Sequence, residues 1–149
     1  MNKRYTSGII IALVTVIGVY FGGYVLGVIL SLIALQACRE IISIRKEQFN
    51  LVLYIVMVLS VFGIYLLNKY SIAIMLLEII ALFTIAIFDE NESFDDIAVT
   101  FLMSIVIGYA IYYMSLFESI NKYLLAYILI ISYVTDVGAY EIGSRLGKH

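Results

Sequence analysis

Apolar residues run along this chain in long blocks, broken at a few short polar points. The first block, Ile9 to Ala37, is interrupted by Gly22-Gly23. As one helix it would measure about 43 Å at ~1.5 Å per residue, too long for a ~30 Å hydrocarbon core without strong tilt. Two helices meeting at the glycine pair fit better, either as a tilted pair or as a partly re-entrant hairpin. The mixed-charge stretch from Arg39 to Gln48 comes next, and its isoleucines suit a separate short helix lying at the membrane surface. Leu51 to Leu67 predicts a crossing, Asn68-Lys69-Tyr70 a turn, and Ser71 to Phe88 a return crossing that contains Glu78. After the acidic loop Asp89 to Asp96, Ile97 to Phe117 is uncharged and long enough to span. A turn from Glu118 to Lys122 leads into a last crossing that begins near Tyr123. Tyr109, Tyr112, Tyr113, Tyr123 and Tyr127 are placed as an interfacial aromatic belt would be.

The pattern therefore predicts an all-α, polytopic integral membrane bundle of about six apolar segments, forming one membrane domain over residues 1–149. Composition agrees: 64% of residues are hydrophobic, 13% are charged and the mean hydropathy is +1.07. With the first two segments as a hairpin, Lys3, Arg4, Arg39, Arg45, Lys46, Arg145 and Lys148 fall on one side, and Lys69 and Lys122 on the other. The positive-inside rule then puts both termini in the cytoplasm. A basic start before an apolar run also fits a secretory signal peptide, but no small-x-small cleavage site comes after it and the apolar sequence resumes after the glycines. No nucleic-acid-binding surface is visible. The one cysteine, Cys38, excludes an intramolecular disulfide and lies near the expected cytoplasmic boundary, where a reduced thiol or a palmitoylated one would sit.

Candidate chemistry concentrates at the end of the chain. In a helix, Asp136, Tyr140, Gly143 and Gly147 share one face. An acid at a membrane boundary must meet protein, water or metal, and glycines admit a close neighbour. Asp136 is therefore a candidate functional acid, against the alternative of an interfacial cap or salt bridge. Arg145 and Lys148 can bind phosphate, Arg as a planar fork and Lys as a point charge, or simply anchor the chain. Glu78, deep in its crossing, is either functional or a carboxyl bonded within the bundle. The acidic loop lacks the alternating ligands and glycine of a calcium loop and reads as a solvated turn. His149 has no second histidine to share a metal with.

The run Asp136-Val137-Gly138-Ala139-Tyr140, with Gly143 and then Gly147-Lys148, resembles a segment of the phosphatidate cytidylyltransferases, or CDP-diacylglycerol synthases. The opening Lys-Arg, the Gly22-Gly23 break and Arg39-Glu40 are similar to the start of bacterial members. The resemblance implies a bacterial inner-membrane enzyme of phospholipid biosynthesis that condenses CTP with phosphatidate, releasing pyrophosphate and using Mg2+. It implies that Asp136 is catalytic and helps hold the metal, that Tyr140, Arg145 and Lys148 contact substrate, and that Gly138, Ala139, Gly143 and Gly147 permit close packing. Members continue past such a Gly-Lys segment into further charged motifs, so an amino-terminal portion is expected here. A second chain supplying the carboxy-terminal half is then an expected partner, beside phosphatidate, CTP and membrane lipids, with a homodimer as a further option. Two other classes stay open on the residues alone: a non-catalytic membrane subunit or scaffold using the small-residue face, and a small ion-coupled transporter using Glu78 and Asp136.

Overall fold

The computed structural model describes residues 14–45, 50–89 and 92–146. Lys3 and Arg4, Lys46 to Gln48, and Gly147, Lys148 and His149 lie outside them. Among the described residues the chain forms six α-helices and no strand: α1 (residues 14–21), α2 (Gly23–Arg45), α3 (Leu51–Leu66), α4 (Ser71–Phe88), α5 (Phe94–Ile120) and α6 (Lys122–Leu146). A single 3-10 turn, Asn68–Tyr70, joins α3 to α4. Three stretches are long and apolar enough to cross a membrane, Gly23–Ile44, Asn68–Phe88 and Phe94–Ile120, and Leu51–Leu66 is a shorter apolar helix.

The break between α1 and α2 falls on the glycine pair. Gly22 has φ +62° and Gly23 φ +46°, a left-handed region open to glycine at no steric cost. The turn is held from far along the chain, because the Gly23 amide donates to Glu118 Oε1 at 3.1 Å. A Cβ at Gly22 would strike that same carboxylate.

Two expected boundaries are corrected. Residues 39–45 form no separate surface helix but continue α2. Leu26, Leu30, Ala34, Cys38 and Ile42 are all buried, so one i, i+4 stripe runs into the charged stretch, where Arg39, Glu40 and Ser43 are exposed. Likewise α5 continues through Glu118 to Ile120, leaving only Asn121 between it and α6, where its side chain accepts from the Tyr123 amide at 2.9 Å.

The chain divides into two compact units, residues 27–114 and residues 1–26 with 115–149. In the first, α3 and α4 form an antiparallel hairpin. Asn50 caps α3 by accepting from the Val52 and Leu53 amides at 2.9 and 3.2 Å, while its own amide donates to Glu92 Oε1 at 2.6 Å. Part of the acidic loop is thus structural rather than merely solvated. Ser93 and Asp96 form a reciprocal capping box at the start of α5. Gly108 of α5 packs on Ile64 of α3, and Tyr109 donates to Ser71 Oγ at 3.0 Å. That bond draws Tyr109 into the bundle, away from the belt expected of it.

Candidate functional site

Asp136 lies on α6, and its carboxylate is exposed. Among the described residues no hydrogen bond or ion pair engages it. It marks one end of a cavity of about 650 Å³ built by α1 and α6. Thr15, Val16, Val19 and Tyr20 form one wall; Tyr123, Ala126, Leu129, Ile130 and Tyr133 form the other, with Lys122 at the far end and Ser132 beside Asp136. The groove exists because α6 turns apolar residues at i, i+3, i+4 and i+7 spacing toward α1. From Lys122 to Asp136 it tracks 14 residues of helix, about 21 Å at ~1.5 Å per residue. It is thus a long apolar channel with a cation at one end and an anion at the other.

Of the other terminal candidates, Gly138 is half-buried and Ala139 and Gly143 are exposed. No described atom lies within 4 Å of where a Cβ would stand at Gly138 or Gly143, so both glycines border open space. Tyr140 and Arg145 lie on α6, their side chains outside the described set; Gly147 and Lys148 lie outside the described residues. Among the described residues no three acidic, histidine or cysteine side chains converge as metal ligands. Mg2+ commonly takes one or two carboxylates and completes its shell with phosphate and water. An exposed Asp136 suits one such position.

Glu78 belongs to the other compact unit. It is 2% exposed, and among the described residues its polar neighbours are two serines. Sequence reasoning singled out Glu78 but missed its surroundings, Ser60 on α3 and Ser104 on α5, both buried and facing it. Their signal was present as single serines on the apolar stripes of their helices. It also missed the groove, whose walls come from opposite ends of the chain.

Comparison with protein families matches residues 2–149 to the cytidylyltransferase family. The chain belongs to that family. Membership places it among nucleotidyltransferases that transfer a cytidylyl group from CTP, and its apolar helices make it a membrane protein. No curated protein and no solved structure matches it.

Proposed function

We propose that the chain contributes the lipid-binding wall of a phosphatidate cytidylyltransferase in a bacterial inner membrane. The observation that carries this reading is the α1/α6 groove ending on Asp136. Family membership supplies the cytidylyl donor, and an apolar groove longer than half of a ~30 Å hydrocarbon core suits a lipid tail as part of the acceptor. A lipid phosphate brought beside Asp136 is repelled unless a cation lies between them. Asp136 would supply one ligand to Mg2+, which when bound screens the charge on phosphate oxygens. Arg145 and Lys148, further along the same segment, would hold phosphate oxygens of CTP or of the lipid. The attacking atom is a phosphate oxygen of the lipid, the bond formed is to the α-phosphorus of CTP, and pyrophosphate leaves. Positioning and charge neutralisation account for most of such a catalysis.

One carboxylate does not make a complete nucleotide site, so the reading calls for further ligands from a segment packed against α6. The open space beside Gly138 and Gly143 suits a close-packed helix from a second chain or a longer polypeptide. The test uses CTP labelled at the α-phosphate and membranes containing the chain together with such a segment. The expected result is lipid-extractable label that depends on added phosphatidate and falls by at least about 100-fold in Asp136→Asn, the scale for losing an electrostatic contact to the transition state. Undiminished transfer in Asp136→Asn, or transfer only to water-soluble acceptors, would overturn the reading.

A further inference from the structure

The groove that ends on Asp136 is tied together at its other end. We infer that Glu118 is a positioning residue for the lipid acceptor, clamping the α1 wall of the groove to the start of the α6 wall; this rests on the transferase reading proposed above. Glu118 lies in the last turn of α5, four residues before α6 begins at Lys122, and Gly23 opens α2 just after α1 ends. The bond from the Gly23 amide to Glu118 Oε1, 3.1 Å long, therefore joins the α1/α2 turn to the α5/α6 turn. Tyr20 stands three residues before Gly23 and Tyr123 five residues after Glu118, and both line the groove. All these residues belong to one compact unit, residues 1–26 with 115–149.

Apolar walls do little to hold each other in a bilayer, because lipid tails are as apolar as the side chains they would replace. Nor does the glycine pair fix the direction of α1. Gly22 and Gly23 both take positive φ, and glycine enters left- and right-handed regions about equally readily. A carboxylate bonded to a backbone amide is directional and strong for a hydrogen bond. Glu118 also fills the space beside Gly22, where a Cβ would strike its carboxylate, so the contact is steric as well as polar. With the clamp closed, α1 and α6 both line the groove. With it open, α1 is free to swing and a lipid tail meets one wall. Apparent affinity then falls by the fraction of molecules whose α1 is in place. Asp136 lies at the opposite end of the groove, so the transfer step itself is spared.

Three variants separate reach from charge. Glu118→Gln keeps an acceptor oxygen without the charge, Glu118→Asp keeps the charge one methylene short, and Glu118→Ala removes both. In the transfer assay, phosphatidate is varied as a mole fraction of the membrane lipid. The Asp and Ala variants are expected to raise the KM for phosphatidate about three- to tenfold while kcat and the KM for CTP hold, the signature of lost uniform binding. Glu118→Gln restores most of the lipid affinity, and if the Ala variant fails to fold, the Asp and Gln pair decides. A second readout needs no turnover: phosphatidate carrying a diazirine in one acyl chain photolabels the full chain in phosphatidylcholine vesicles. Label on α1 and α6 is expected to saturate in the wild type and to need a correspondingly higher mole fraction in the Asp and Ala variants. A lower kcat with both KM values unchanged would mean that Glu118 only keeps the protein folded, and would overturn the inference. So would labelling that never saturates or saturates alike in all four proteins, or a Gln variant as impaired as the Asp one. If transfer proves indifferent to Asp136, the transferase reading falls, and the labelling still decides the role of Glu118.

Discussion

At the residue scale, Gly22 and Glu118 show how a single position is fixed by a distant one. Gly22 needs a positive φ, and the carboxylate that caps the next helix occupies the space a Cβ would take. Gly22→Ala is expected to cost about 1–3 kcal/mol, the scale of a non-glycine residue held in a sparsely populated backbone region. Denaturant unfolding in detergent measures it. Glu118→Gln keeps an acceptor but removes a negative charge beside a helix N-terminus, so a smaller loss is expected, about 0.3–1 kcal/mol. The glycine pair announced the break, because no other residue type serves there so readily. Glu118 could not be read as its partner: it lies 95 residues away, and no local pattern encodes a contact of that range.

At the scale of elements, helix interiors were legible and helix ends less so. The crossing read from Ser71 to Phe88 coincides with α4, because apolar periodicity reports burial over many residues at once. The stretch from Arg39 to Gln48 misled because its charges drew attention from Ile42, which extends the buried stripe of α2. The same stripe buries Cys38 completely, so its thiol is inaccessible to the acylation considered from sequence. Maleimide labelling should therefore be slow in the folded protein and rapid after denaturation. Asn50 both caps α3 and ties it to Glu92. Asn50→Ala should cost about 1–2 kcal/mol, the upper part of the range for a lost N-cap, because the Glu92 contact goes as well. A chemical-denaturation midpoint compared with wild type checks this.

At the scale of the whole molecule, apolar side chains cover the outside as well as filling the core. Large apolar side chains such as Leu59, Ile72, Leu77, Ile87 and Val106 stand on the outside, while Ser60, Glu78, Thr100 and Ser104 are buried. The exposed surface matches a lipid solvent. The chain should accordingly stay in the pellet when membranes are stripped with alkaline carbonate, and leave it only with detergent. Asp136 was visible in sequence because an acid among apolar residues is conspicuous. The groove was not, because a cavity belongs to two helices at once and sequence reports each helix separately.

The groove also bears on how an acceptor arrives. Its wall residues Tyr20, Tyr123 and Ile130 are exposed along the helix flanks, so on the proposed reading a lipid acceptor would enter sideways, from the bilayer. A ligand arriving by that route diffuses in two dimensions, and its effective concentration is its mole fraction among the surrounding lipids. Diluting it with inert lipid or detergent at constant bulk concentration should slow turnover, whereas adding water should not.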